Sequence, residues 1–212
     1  MLNQKSDLLK EVADYYGEKL LHYGETPQGV DWNGEFGQQA RFNELCKLID
    51  GCGEFSVNDL GCGYGAMKDF LQQRYGDVFR YCGIDISPEM IAAARKRSNG
   101  DARTRFVCMA LPDQVADFGV ASGIFNVRQQ RPDAEWREYI ESTLDELNRT
   151  SLKGFTFNCL TSYSDEEKKQ SHLFYADPLY FFDLCKRRYS RNVALLHDYG
   201  LYEFTILVRK LA

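Results

Sequence analysis

Apolar residues recur at helical spacing over residues 8–21 and again over 36–49, which predicts two amphipathic helices near the N-terminus. The stretch between them, HYGETPQGVDWNGEFG, is rich in glycine and turn formers and reads as a loop. From residue 55 the period changes. FSVNDL reads as a short buried strand, GCGYG as a tight turn and residues 66–75 as a helix. FRYCGIDI is a second strand, after which Ser87 and Pro88 supply the N-cap and first position of another helix. RFVCM and FGVASGIF read as third and fourth strands, residues 133–151 as a charged amphipathic helix and GFTFNCL as a fifth strand. Residues 178–188 are helical. NVALLHDY and YEFTILVRK follow as two strands around a two-residue turn at Gly200, with His197 expected in the core.

Strands alternating with helices predict an α/β fold with a mostly parallel, doubly wound sheet. The last pair has no room for a crossover helix, so it must form a C-terminal antiparallel hairpin. No repeat, low-complexity tract or Pro/Ser-rich linker breaks the chain, which predicts one domain over 1–212. Residues 1–50 would form N-terminal helices and a lid, and 55–212 the core sheet. With 44% apolar and 27% charged residues among 212, the chain can bury a substantial core. A net charge of −5 argues against a protein whose main task is gripping nucleic acid or an anionic membrane. No apolar run approaches the ~20 residues of a membrane span, and MLNQKSDLLK lacks a signal-peptide core, so a cytoplasmic monomer or homodimer is expected. The seven cysteines contain no C-x-x-C pair, and with three histidines they form no zinc pattern, so reduced, buried thiols and no metal are expected.

The chemistry concentrates at Asp59-Leu60-Gly61-Cys62-Gly63-Tyr64-Gly65. Glycines let the backbone turn sharply after the strand and let a ligand approach closely. The next helix presents free N–H groups to an anionic moiety. Asp85, twenty residues beyond Gly65 at the end of the second strand, is placed to accept both hydroxyls of a ribose. Together these features point to a nucleoside-containing cofactor. Gly61, Gly63 and Ala66 also satisfy G-x-G-x-x-G/A, which keeps a nicotinamide oxidoreductase as an alternative. Asp59 weighs against it, because its carboxylate suits an ammonium and repels a pyrophosphate.

Asp59, Gly61, Gly63 and Gly65 match the first motif, D/E-x-G-x-G-x-G, of class I S-adenosylmethionine-dependent methyltransferases, and the chain resembles that family over nearly its whole length. GVDW, SGIFN, TSYSD and LLHDYGLYEFT resemble a bacterial, small-molecule-type branch. The resemblance implies a Rossmann-like, seven-stranded sheet with its last strand antiparallel. It implies S-adenosyl-L-methionine as cofactor, with Gly61, Cys62, Gly63 and Gly65 bordering the methionine part. Asp85 would bind the ribose and Ile86 pack on the adenine. The family often carries an acidic residue after strand three; here the stretch is Met109-Ala110-Leu111, so backbone atoms of Met109 and Ala110 would meet the adenine.

Methyl transfer demands mainly positioning and exclusion of water, with a general base needed only for some acceptors. Ser122, Gly123 and Asn126 follow strand four and should face the sulfonium end. Asn126 is a candidate to orient a polar acceptor, or else a turn residue bonding its own backbone. Trp32 is a candidate to shield the cofactor, or packs on the sheet. Arg41 is a candidate partner for the cofactor carboxylate, or lies on a solvated helix face. In the aromatic insertion after strand five, Tyr163, His172 and Tyr175 are candidates to line an acceptor pocket; His172 is a candidate base, or else an exposed histidine in a charged loop. The expected activity is methyl transfer to a small-molecule or sugar-like acceptor at oxygen. A non-catalytic S-adenosylmethionine-binding protein is the remaining alternative, and its mark would be an acceptor pocket filled by side chains.

Overall fold

The computed structural model describes residues 2–30, 32, 34–49, 51, 53–98 and 100–210, with side chains of the first helix from Leu8 onward. Cys52 lies outside the described residues. The chain opens with α1 (Leu2–Tyr23) and α2 (Glu35–Cys46). It then alternates β1 (Phe55–Leu60), α3 (Ala66–Tyr75), β2 (Phe79–Asp85), α4 (Pro88–Arg97), β3 (Thr104–Cys108) and β4 (Ala116–Ala121). α5 (Asp133–Arg149), β5 (Ser151–Leu160), α6 (Pro178–Arg188), β6 (Asn192–Leu196) and β7 (Glu203–Arg209) complete it.

The strands form one seven-stranded sheet in the order β3-β2-β1-β4-β5-β7-β6, with β7 antiparallel to both neighbours. The expected fold class is therefore the observed one. Period-two alternation gives each strand two apolar faces. In β7, Phe204, Ile206 and Val208 join the core under α5 and α6, while Leu207 joins the core under α2 and α3. α5 contributes Trp136, Ile140, Leu144 and Leu147 at helical spacing to the first of these cores. Ser87 caps α4 by accepting from Met90 N at 3.2 Å, with Pro88 in the first turn.

Several boundaries differ from those the sequence predicts: α1 spans Leu2–Tyr23, α2 ends at Cys46, β3 spans Thr104–Cys108 and β5 begins at Ser151, and three further differences bear on the site. β4 ends at Ala121 rather than running on to residue 125, because Asn158 Oδ1 accepts the Gly123 N–H at 2.8 Å and turns the chain out of the sheet. α5 stops at Arg149, since Ser151 already pairs with Ala116 of β4. The hairpin connection spans residues 197–202 instead of two residues, because Tyr202 O accepts from Thr161 N at 3.0 Å and β7 begins only after it. His197 lies in this connection, exposed rather than in the core, with its ring 5.9 Å from Tyr163 and 6.2 Å from Phe204. Cys108 is exposed, whereas Cys46, Cys62, Cys159 and Cys185 are buried. No group of residues able to hold a metal ion occurs among the described residues.

Strand order reverses between β1 and β4. Leu60 at the end of β1 pairs with Ile84 on one side and Ala121 on the other. The carboxyl ends of β1, β2 and β4 therefore converge on one crevice, the place where open α/β sheets bind ligands. Leu9, Val12, Ala13 and Tyr16 of α1 form part of its wall.

Candidate functional site

The loop after β1 is shaped by its own backbone bonds. Gly61 and Cys62 both donate to Ile84 O, at 2.7 and 3.0 Å, which folds the chain back over the end of β2. Gly61 has φ 76°, and a Cβ there would lie 2.0 Å from Ile124 Cγ2, so no other residue fits without movement. Asp85 locks the next turn. Its Oδ2 accepts the Gly63 N–H and its Oδ1 the Ser87 N–H, each at 2.9 Å. Burial pushes the Asp85 carboxyl above the usual carboxylate range, opposed by its backbone N–H partners. Asp85 lines the crevice, and a carboxylate oxygen that accepts one N–H keeps a further lone pair.

The crevice has a volume of about 930 Å³, counting its mouth. Asp59, Gly61, Cys62, Gly63, Asp85, Ile86, Met109, Ala110, Ser122 and Trp32 all line it, as the sequence pattern anticipates. Gly65 does not. A Cβ there would meet Phe106 at 3.2 Å and Ala94 at 3.4 Å, so this glycine starts α3 in a left-handed conformation and lets α3 and α4 approach. Ser122 Oγ is buried with no hydrogen-bond partner among the described residues. A buried hydroxyl without a partner on a cavity wall is the kind of group a ligand satisfies.

Asp59 lies beneath the loop, 1% exposed, and accepts a short hydrogen bond from the Tyr81 hydroxyl. Burial raises its carboxyl to about 7; the Tyr81 bond lowers it and the Asp85 charge raises it further. Between the ordinary aspartate value of 3.8 and about 7, the folded protein keeps a proton that the unfolded chain releases. The contribution of Asp59 to stability is thus full below 3.8 and lost as pH rises through about 7. Melting of Asp59→Asn between pH 4 and 8 is expected to lack this falling component; identical pH profiles for variant and wild type would contradict it.

A second cavity, about 1110 Å³ counting the open solvent at its mouth, adjoins the first and shares Tyr16, Val30, Trp32 and Gly123 with it. Its wall is polar. Arg41 Nε and Nη2 donate to Glu203 Oε2 and Oε1 at 2.8 and 2.6 Å, a bidentate pair almost removed from solvent. Asn158 Nδ2 also donates to Glu203, and Asn158 Oδ1 accepts from Gly123 N. One network therefore runs from α2 through β7 and β5 to the glycine between the two cavities. Arg41 accordingly faces the second cavity and Glu203, not the crevice, which corrects its expected place beside the cofactor. Its guanidinium also lies 4.9 Å from the Trp32 ring, holding that indole between the cavities.

Asn126 and His172 both line the second cavity. Asn126 Oδ1 accepts from Leu160 N at 3.0 Å, so this side chain joins the loop after β4 to the end of β5 rather than bonding its own turn. Tyr163 does not reach either cavity; it is 66% exposed and faces His197. Tyr175 is likewise diverted, its hydroxyl accepting from Gln170 N at 2.9 Å. Glu203 and Asn158 escaped the sequence reading. Their signal was present as the strongly polar residues inside the otherwise largely apolar runs YEFTIL and FTFNCL, where a buried polar group must find a partner.

Residues 57–149 match a family model described as a methyltransferase domain. A Mycobacterium tuberculosis protein named as a methyltransferase, Rv1506c, is 60% identical over 164 residues, which cover 77% of this chain and 98% of that one. Among solved structures, the magnesium protoporphyrin IX methyltransferase of Synechocystis with bound SAH superposes with a TM-score of 0.67 at 13% identity, covering 95% of this chain and 99% of that one. The N-methyltransferase NodS of Bradyrhizobium japonicum, in complex with S-adenosyl-L-homocysteine, gives 0.66 at 14%, covering 93% and 97%. Both share the fold described above.

Proposed function

Because the chain belongs to the methyltransferases, we propose that it transfers a methyl group from S-adenosyl-L-methionine in the crevice to a small polar, sugar-like acceptor in the adjoining chamber, at oxygen. The observation that carries this reading is the adjacency of the two cavities: a glycine-walled, carboxylate-flanked crevice and a chamber rich in hydrogen-bonding groups share Tyr16, Val30, Trp32 and Gly123 as a common wall. The residues present suit the cofactor. Asp85 offers free lone pairs for ribose hydroxyls, Ser122 Oγ lacks a partner, and Asp59 offers a carboxylate for the ammonium. Gly61 and Gly63 would border the methionine part, Ile86 would pack on the adenine, and backbone atoms of Met109 and Ala110 would meet its edge. When bound, the cofactor supplies an electrophilic methyl on a positively charged sulfur.

The acceptor is read from this chain rather than from its neighbours, whose names span a porphyrin methyltransferase and an N-methyltransferase. Gln129, Gln170, Asn126 and the Arg41–Glu203 pair offer both donors and acceptors, beside the aromatic surfaces of Tyr15, Tyr16 and Trp32. Stacking faces with planar polar side chains suit a polyhydroxylated ring. His172 is the group to take the hydroxyl proton, and its backbone is fixed by bonds from Arg128 N and Gln129 N to its carbonyl at 3.0 and 2.9 Å. Trp32 and α1 would exclude water. The acidic chain favours a small-molecule acceptor over nucleic acid, and no described helix is long and apolar enough to cross a membrane.

The nicotinamide alternative falls with the family membership, and the open chamber argues against a non-catalytic binder. Calorimetry should register S-adenosylhomocysteine and not NADH, with affinity falling as pH drops through about 7, where Asp59 takes up its proton. Radiolabelled methyl transfer to a panel of methyl glycosides tests the acceptor. His172→Gln is expected to lower kcat about 100-fold with unchanged S-adenosylhomocysteine affinity. Full turnover by that variant would remove His172 from proton transfer.

A further inference from the structure

Gln129 is the only non-glycine residue with a positive φ among the described residues, at 56°. That left-handed conformation is unfavourable for a side chain with a Cβ, and persists only where surrounding contacts impose it. The contacts are visible. Gln129 N and Arg128 N both donate to His172 O, at 2.9 and 3.0 Å, and Val127 bridges Leu173 in antiparallel fashion. This clamp fastens the loop after β4 to the insertion after β5. Glycine, which adopts the same φ freely, would serve a purely structural turn equally well. The chain instead carries a long carboxamide here, half-buried, on the wall of the second chamber.

We propose that Gln129 is a specificity-determining residue, held in a strained backbone by the His172 clamp so that its carboxamide reads a hydroxyl of the acceptor. The assignment rests on the chamber being the acceptor site, as proposed above. The clamp ties recognition to chemistry, since one carbonyl fixes both the reading residue Gln129 and the proton-accepting residue His172. A carboxamide donates and accepts at once, which matches a hydroxyl and not a purely anionic or purely cationic group.

The test uses the full chain saturated with S-adenosylhomocysteine and titrated with methyl glycosides, read by calorimetry. Gln129→Gly removes the carboxamide and relieves the strain. It is expected to melt no lower than wild type, because relief of strain offsets the added freedom of glycine in the unfolded chain. It should also bind S-adenosylhomocysteine as wild type does and weaken the best glycoside about tenfold. Gln129→Asn, which tolerates the left-handed region and keeps a shorter carboxamide, should recover part of that loss. Equal glycoside affinity in wild type and Gln129→Gly would overturn the Gln129 assignment alone. A glycine variant that melts lower and loses S-adenosylhomocysteine binding would show a structural role and overturn it too. A wild-type protein that binds no glycoside of the panel would instead bring down the acceptor reading beneath it.

Discussion

Glu203→Ala is expected to destabilise the protein by about 3–5 kcal/mol, the cost of leaving a buried charge without its partner. Glu203 is 2% and Arg41 9% exposed, so solvent cannot replace the lost carboxylate around the guanidinium. Asn158 Nδ2 would lose its acceptor as well. Urea unfolding measures the effect. The double variant Arg41→Met/Glu203→Leu should regain most of the loss, because exchanging both charges for apolar side chains removes the desolvation penalty together with the attraction. A loss below about 1 kcal/mol for Glu203→Ala would mean that the pair behaves like an exposed one. The consequence reaches beyond stability. The network ends on Gly123 N, so an intact but loosened Glu203 variant should also perturb the wall common to both cavities.

Asp85→Ala is expected to weaken S-adenosylhomocysteine binding about 100-fold, on the order of 3 kcal/mol, through loss of two hydrogen bonds to a charged acceptor. The same carboxylate accepts the Gly63 and Ser87 N–H groups, so the variant also slackens the glycine loop that borders the crevice. Asp85→Asn separates the two effects. It keeps one acceptor oxygen and the side-chain volume, and should fall between alanine and wild type. Calorimetry on all three proteins decides the matter, and unchanged affinity in Asp85→Ala would exclude Asp85 from ribose binding.

Much of this architecture was legible before any coordinates. β1, α3 and α6 coincide with their patterned segments, because an apolar run bounded by glycine or a Ser-Pro or Asp-Pro start leaves few alternatives. The glycine loop was legible for a related reason: tight turn, ligand approach and flanking carboxylates are all local. The misplacements share a different cause. Arg41 looked available for a cofactor carboxylate until Glu203, distant in sequence, appeared opposite it. Gly65 looked like a ligand contact until Phe106 and Ala94 proved to be its neighbours. His197 and Tyr163 were assigned to core and pocket by the apolar or aromatic company in their segments, and both lie outside once residues 197–202 bulge from the hairpin.

The sequence by itself determined the parallel sheet, the antiparallel end, the crevice at the end of β1 and the nucleoside character of its ligand. Those properties follow from periodicity and from backbone freedom at a few adjacent positions, which the chain encodes locally. Only the tertiary structure decided which charges neutralise one another, which polar groups face the second cavity and which residue bears backbone strain. Side-chain partnership depends on strands and loops brought together from distant parts of the chain. No local pattern in the sequence records that meeting.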